Sequence, residues 1–361
     1  MSLLPTTHYK LIIHCKTYNH ASYIEEAMNG FCIQETNFPF VAIIIDDAST
    51  DGEPEVIKKY LDDHFDMNKA RYEENNDAKM TFAIHKTNTN CHFLVIYLKY
   101  NFYSIKKPKA PLYKGWDENV PYLAVCEGDD YWTNPQKIQK QVSVLDSHPE
   151  CSIAFNLVQV ISKDGKKQNW TIPRKNTFDT GIITIEDYMR WQFYYGSWAL
   201  HTSSYCYRAN ILKNGKIVYD IYKKFPYGDM PLLLFCLING NGYYINEQGG
   251  CYRYMCGGYT SIMVKNKELG IKDEKKLINA LMAFDEYTQF KYHRFIKLRI
   301  NRAYWRIETK YKQKRYAFLK PKYWNLRHCE DFKANIHAIC YDILNSISFG
   351  LLSKLTYKRY I

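Results

Sequence analysis

Eleven cysteines are present, yet no two form a C-x-x-C pair, and the count is odd. A disulfide framework or a structural zinc site is therefore not supported, and free thiols in a reducing compartment are expected. Cys15, Cys126, Cys151 and Cys236 lie inside apolar runs, as buried thiols would. No apolar run approaches the roughly 18 residues needed to cross a bilayer. The opening MSLLPTTHYKLIIHC has no basic stretch followed by a long apolar one, so no signal peptide is expected and the setting reads as cytoplasmic. Neither a G-x-x-x-x-G-K-[ST] loop nor H-E-x-x-H nor G-x-S-x-G occurs, which leaves ATP hydrolysis, zinc proteolysis and serine-hydrolase chemistry without their motifs. Internal repeats and low-complexity tracts are also missing.

What is present is a large core and an uneven charge. Hydrophobic residues make up 46% of the 361 residues and aromatics 16%, enough for one large α/β domain with an extension, or for two domains. From residue 265 onward there are 22 Lys and Arg against 9 Asp and Glu, a net +13. The whole chain carries +12, so the first 264 residues sum to −1. A nearly neutral body thus precedes a basic, aromatic-rich tail.

Apolar runs and helical periodicity alternate through the body. Tyr9–Cys15 reads as a buried strand, and NHASYIEEAMNGFCIQ as a helix with an apolar stripe of Ile24, Ala27, Met28 and Phe31. Ser22 and Glu25 have the spacing of a capping box. FPFVAIII is a second buried strand, and EPEVIKKYLDDH a helix with Pro54 in its first turn. This alternation predicts an α/β, doubly wound, mostly parallel sheet covered on both faces. Asp62–Ala78 reads as a polar loop, MTFAIH and HFLVIYLKY as a hairpin, and SIKKPKAPLYKGW as a basic loop. Later come a strand at Tyr122–Cys126, a helix starting at Asn134 and Pro135, the strand CSIAFNLVQVIS, and a helix opened by Thr184. A strand-like HTSSYCYR, the buried helix GDMPLLLFCLING stopped by Gly240, and a Gly- and Tyr-rich return complete the body. Long helical segments follow from about residue 265.

In open α/β sheets, ligands bind beyond the carboxyl ends of the parallel strands. Two such ends carry clustered acids: Asp46 and Asp47, and then Glu127, Asp129 and Asp130. Adjacent carboxylates repel and are costly to desolvate, and a cation relieves both problems. Mg²⁺ or Mn²⁺ usually takes one or two protein carboxylates and completes its shell with water and phosphate oxygens. EGDD therefore suits a metal-bound diphosphate, and an acidic turn capping the next helix is the plainer alternative.

The three segments KTYNHASYIEEAM, IIIDDASTDGE and YLAVCEGDDYWTNPQKIQKQVSVLDSHPE occur in this order, each at a strand end. Together they resemble the family 2 glycosyltransferases, which have the GT-A fold, over roughly residues 10–261. The last segment looks like the version found in bacterial surface-polysaccharide clusters. The resemblance implies a glycosyltransferase domain over residues 1–264, with a nucleotide-sugar half to about 133 and an acceptor half from about 134. Residues 265–361 would form a basic helical extension. It implies a nucleotide-sugar donor, a metal of the Mg²⁺ or Mn²⁺ kind, and inverting transfer to a hydroxyl of a glycan or lipid-linked acceptor. By the same resemblance Thr17 and Tyr18 line the nucleotide pocket, and Asp47 or Asp46 accepts a hydrogen bond from the base. Glu127-Gly128-Asp129 takes the D-x-D position, with Glu where Asp is usual. Asp129 and Asp130 are the expected metal contacts, and Glu127 reaches ribose or a metal-bound water.

Asp229, ahead of the buried helix, falls where the family places its general base. Read by itself, it is a helix N-cap. His201 and Ser203 are acceptor-side candidates, with a structural role as the alternative. Arg253 is a candidate phosphate contact, and Met255 stands where some relatives carry a metal-binding His, which a thioether cannot replace for a hard cation. Lys106, Lys107 and Lys109 are donor-phosphate candidates or simply a solvated loop. For the tail, a packed helical extension and a peripheral contact with an anionic membrane surface stand side by side. No nucleic-acid partner is expected, since no such module accompanies the charge. Two other functions stay open: a sugar-nucleotidyltransferase-like protein, whose Gly-rich basic signature is missing, and a non-catalytic surface adaptor.

Overall fold

The structure is a computed structural model. It describes residues 3–312 except 6, 117, 176, 195–198, 212–214 and 255–265. Met255 and most of the basic tail therefore lie outside the described residues.

Four parallel strands form the centre: β1 (Leu11–Thr17), β2 (Phe40–Asp46), β5 (Cys91–Leu98) and β6 (Tyr122–Val125), in the order β6-β1-β2-β5. Beyond β5 the sheet continues antiparallel through β4 (Ala78–Ile84) and β3 (Arg71–Glu74). Beyond β6 it continues through β11 (Cys206–Arg208), β8 (Cys151–Ile161), β12 (Asn241–Arg253) and β10 (Gly181–Ile183). β11 runs antiparallel to both its neighbours, and β12 runs parallel to β8. The short β7 (Tyr131–Trp132) pairs with β12, and β9 (Lys167–Ile172) folds back on β8. The parallel centre is as expected, and the antiparallel flanks make the whole sheet mixed.

Both faces of the centre are buried, which is why its strands read as continuous apolar runs. Leu11, Ile13 and Cys15 of β1 join one core with helices α1 (Ile24–Cys32), α2 (Glu53–His64) and α3 (Lys137–Ser147). Ile12 and the alternate residues Val41, Ile43 and Ile45 of β2 join the other core. Helices α4 (Ile185–Met189), α5 (Lys216–Tyr222) and α6 (Asp229–Asn239) cover that second face. Helices α7 (Lys267–Tyr287) and α8 (His293–Arg306) pack there too, through Leu277, Leu281, Phe284, Phe295 and Ile296. Phe284 meets Phe235 of α6 edge-on at 5.7 Å.

Local signals held where the local chain decides the structure. Helix α2 spans the expected residues, and Thr184 closes a capping box with Asp187. The capping box expected at Ser22 and Glu25 is absent: α1 starts at Ile24, behind Tyr23, with no side-chain cap. The amides of the preceding loop are taken instead by distant carboxylates, described below. The polar stretch 62–78 is not all loop. Helix α2 runs to His64, and Arg71–Glu74 forms the edge strand β3, whose half-exposed side chains carry no apolar signal. Among the described residues, no helix is long and apolar enough to cross a membrane. The eight described cysteines are all free.

Candidate functional site at the carboxyl edge of the sheet

β1, β2 and β6 point the same way and end at one edge, at Thr17, Asp46 and Val125. The chain proceeds from β1 through β2 to β5 on one side and places β6 on the other. This is the topological switch point, where the loops diverge and leave a crevice.

The first two loops are locked together by Glu53, the first residue of α2. Its fully buried carboxylate accepts from Thr17 Oγ1, from the His20 amide at 2.9 Å and from Ser49 Oγ at 2.8 Å. Asp51 adds a bond from the Ala21 amide at 2.9 Å, and Asn19 Oδ1 accepts from the Thr50 amide at 2.8 Å. A buried carboxylate is tolerable only with such a full set of donors. Thr17 is thus held side-on in the wall, while Tyr18 beside it is exposed.

The paired acids after β2 separate into two roles. Asp46 is buried and accepts from the Ser49 amide at 3.1 Å. Burial raises its carboxyl to about 6 against the opposing Ser49 hydrogen bonds, and Glu53 and Asp47 add to the rise. Asp47 turns to the loop after β5. It accepts from the amides of Phe102 at 2.7 Å and Tyr103 at 3.2 Å, and pairs with Lys109 Nζ at 2.9 Å. Lys107 is paired elsewhere, with Asp77 at 2.7 Å, and Lys106 adopts a left-handed φ of 57° in the same loop.

The acidic turn after β6 lies against β1. The Gly128 amide donates to Lys16 O at 3.1 Å, and Gly128 passes so close to Thr17 that no side chain fits between them. Glu127 is open to solvent but walled by protein. The burial of its walls, then Asp129, raise its carboxyl to about 7, with Lys16 opposing and Asp229 adding to the rise. Asp129 keeps 12% of its side chain exposed and stands 3.8 Å from His20 Nε2. Asp130 points inward, at 2% exposure. It accepts from the Arg253 amide at 3.0 Å and lies 3.8 Å from His201 Nδ1. The aromatics that follow anchor the turn: Tyr131 and Trp132 pair with Cys251 and Gly250 of β12, and Trp132 Nε1 donates to Ser203 O at 2.8 Å.

Asp229 is the first helical residue of α6 and not its N-cap, which is Gly228. Its carboxylate accepts from the Met230 amide at 2.8 Å, and burial raises it above the usual carboxylate range despite that bond. Tyr188, Tyr205, Tyr222 and Tyr227 all feel its charge. Its charge adds to the raised titration of Glu127, so the two acids lie within electrostatic reach although about a hundred residues of chain separate them.

The other candidates sit behind that cleft. His201 and Ser203 are buried and bonded to each other at 2.8 Å, and burial holds the His201 imidazole down at about 3. Arg253 is buried too. Its side chain donates to Asp129 O at 3.2 Å, Lys163 O at 3.1 Å and Glu26, and its face lies 4.5 Å from the Tyr23 ring. It braces the acidic turn. Three residues escaped the sequence reading: Glu53, His20 and Lys16. Glu53 had a signal, since an acid at a helix start after DDASTD is one carboxylate more than turn chemistry needs.

Among the described residues, no three or more His, Cys, Asp or Glu side chains converge as a metal cage. The hard cations expected here need only one or two carboxylates when phosphate supplies the rest. Glu127 and Asp129 meet that requirement. Asp129 repels the Glu127 carboxylate and helps raise its titration, which a cation between them would relieve.

Residues 13–82 match the sequence model of the family described as Glycosyl transferase family 2. The uncharacterized protein Mb1547 of Mycobacterium bovis is 40% identical over 153 residues, covering 42% of this chain and 36% of that protein. The uncharacterized protein Rv1520 of Mycobacterium tuberculosis matches to the same extent. The match therefore spans about a third of the length of these relatives. Among solved structures, TarS 1-349 of S. aureus shares the fold with a TM-score of 0.51 at 14% identity, over 93% of this chain and 80% of that one. The complex of TarS 1-349 with UDP-GlcNAc gives 0.54 at 15% identity, over 96% and 92%.

Proposed function

We propose, for a chain that carries a family 2 glycosyltransferase domain on the GT-A fold, that it is an inverting transferase. It moves a sugar from a nucleotide-sugar donor to a hydroxyl of a glycan or lipid-linked acceptor in surface-polysaccharide synthesis. The observation that carries the reading is that Glu127, at the carboxyl edge, and Asp229 lie within electrostatic reach of each other. One acid, Glu127, is the first residue of the D-x-D-like turn on the donor side. The other has a carboxyl raised by burial, which makes it a stronger proton acceptor.

In this reading the acceptor oxygen attacks the anomeric carbon, and its proton passes to Asp229. The bond from that carbon to the phosphate oxygen breaks, and the electron pair leaves with the nucleoside diphosphate. Glu127 and Asp129 would hold Mg²⁺ or Mn²⁺, which supplies charge neutralisation to the leaving diphosphate. Asp130 acts from behind, by fixing the turn to β12 through the Arg253 amide. The loop pinned by Asp47 closes the base end of the crevice. That TarS 1-349 binds UDP-GlcNAc on a shared fold favours a uridine nucleotide among the donors to try first.

The reading puts the enzyme in the cytoplasm, peripheral on the inner face of the plasma membrane, with the basic tail as its contact. Deleting residues 335–361, which lie outside the described residues, should move the protein from membrane to soluble fractions, and an unchanged distribution removes the membrane contact.

A thermal-shift panel of UDP-, GDP- and dTDP-sugars, each with and without Mn²⁺, tests the donor reading. Stabilisation by one nucleotide class, larger with metal, is the expected result. A panel in which no nucleotide sugar stabilises the protein overturns it.

A further inference from the structure

We propose that Cys32 and Cys91 form a thiol–disulfide modification site at the edge of the sheet opposite the donor crevice. The site is independent of the transferase reading. Cys32 ends α1 and is partly exposed, while Cys91 opens β5 and is buried. In the β2–β5 register Cys91 faces Phe40, six residues before Asp46, which puts it about 20 Å from the carboxyl edge.

Three features set this pair apart from the other described cysteines. Cys91 Sγ donates to Phe31 O, the carbonyl joined to the Cys32 amide, at 3.9 Å, and the two thiols are near enough to shift each other's titration. Their backbones are clamped by one residue. Asn88 donates through Nδ2 to Cys32 O at 2.9 Å and to Gln34 O at 2.8 Å, while its own carbonyl accepts from the Cys91 amide at 2.9 Å. The two backbones are thus held beside one another, as a disulfide's narrow geometry requires first. Finally, His85 is held in one tautomer. Its Nδ1 accepts from the amides of Asn88 at 3.0 Å and Thr87 at 3.3 Å, so the proton is on Nε2. That leaves an N–H free to face the Cys32 sulfur, whose titration His85 lowers.

Burial and the carboxyl end of α1 both disfavour a thiolate at Cys32. The polar groups of Cys91, His85 and Tyr60 around it more than offset the burial and bring the thiol down to about 6. His64 extends the cluster, tilted against Tyr60 at 4.4 Å and parallel to His85 at 6.3 Å. His85 also lines a surface cleft of about 370 Å³ with Phe65, Asp66 and Ile84.

The oxidant is a small-molecule disulfide. The Cys32 thiolate attacks one of its sulfurs, forming a mixed disulfide and expelling one thiolate, which takes up the proton that Cys32 lost. Cys91 then attacks the Cys32 sulfur, releases its own proton and expels the second thiolate as a thiol. Two protein thiols are oxidised and one disulfide is reduced to two thiols.

Oxidised glutathione is added to the full-length protein, followed by alkylation and peptide mapping by mass spectrometry. The expected product is a Cys32–Cys91 linked peptide that dithiothreitol reverses. Cys91→Ala should stop at a glutathionyl adduct on Cys32, and Cys32→Ser should leave Cys91 unmodified. His85→Gln should slow adduct formation at neutral pH by roughly three- to tenfold, as the thiolate fraction falls. If either alanine or serine variant fails to fold, the map of the wild-type chain decides alone. Cys32 reacting no faster than the other cysteines, or linking to any cysteine but Cys91, overturns the proposal.

Discussion

Gly128 and Thr17 touch backbone to side chain: a Cβ on Gly128 would overlap Thr17 Oγ1 and come within 2.6 Å of Thr17 Cβ. Thr17 cannot retreat, because its hydroxyl is bonded to the buried Glu53. The glycine between the two acids is therefore what lets the acidic turn seat on β1. Gly128→Ala should cost about 1–3 kcal/mol of stability, the usual range for overpacking a tight contact. It should also abolish stabilisation by donor, since the turn must lift off Thr17. Chemical denaturation and thermal shift with the best donor read the two effects separately. A variant that binds donor like wild type would show that the contact is slack.

Asp47 holds a loop more visibly than it offers a free oxygen. Its partners are two backbone amides and Lys109, all within 3.2 Å. Removing the carboxylate leaves a half-buried ammonium and two amides without acceptors. Asp47→Ala should destabilise the protein by about 3 kcal/mol, as for other broken buried pairs. Asp47→Asn, which keeps an acceptor oxygen for the amides, should cost less than half as much. Limited proteolysis should cut residues 99–109 first in the alanine variant. Equal stability of the two variants would mean that Asp47 does not pin the loop.

The parts legible in the sequence were those where neighbours along the chain settle the outcome. The stripe Ile24, Ala27, Met28 and Phe31 is fully buried, and Gly240 ends α6 where expected. The acids at strand ends marked the crevice because the continuous apolar run stops there and charge begins. The parts that were not legible depend on residues far apart. Ser22 and Glu25 have the right spacing for a capping box, but Asp51 and Glu53 take the loop's amides from another element. The bonds of Arg253 to Glu26, Lys163 and Asp129 likewise join residues far apart in the chain. Which of the three acids of the turn points inward is decided by β12, more than a hundred residues later.

Asp46 makes stability depend on pH in a direction opposite to most carboxylates. Its carboxyl is raised from 3.8 to about 6, chiefly by burial, so the folded protein binds a proton there that the unfolded chain has released. Stability from this group is full below about pH 4 and is lost as pH rises to about 6, with little change above. Asp46→Asn keeps an acceptor for the Ser49 amide and carries no charge to bury. Relative to wild type it should gain about 1–3 kcal/mol between pH 4 and pH 7. Denaturation at both pH values, on both proteins, measures the difference. No change in that difference would mean that Asp46 ionises freely in the folded state.

Asp229 is tested by separating chemistry from binding. The substitution Asp229→Asn preserves shape and keeps an oxygen for the Met230 amide, so α6 should start as before. It removes the proton acceptor, whose loss typically costs on the order of 10² to 10⁴ in rate. The expected outcome is a fall of that size in kcat with donor stabilisation close to wild type. Loss of a negative charge near Glu127 should also let that carboxyl ionise at lower pH. Donor binding in the variant should then persist to more acidic pH than in wild type, while transfer stays absent. In wild type, transfer should decline on the acid side as Asp229 takes up a proton and can no longer accept one. A variant that keeps wild-type kcat assigns the proton to another group, and one that loses donor binding together with kcat shows Asp229 serving the donor side.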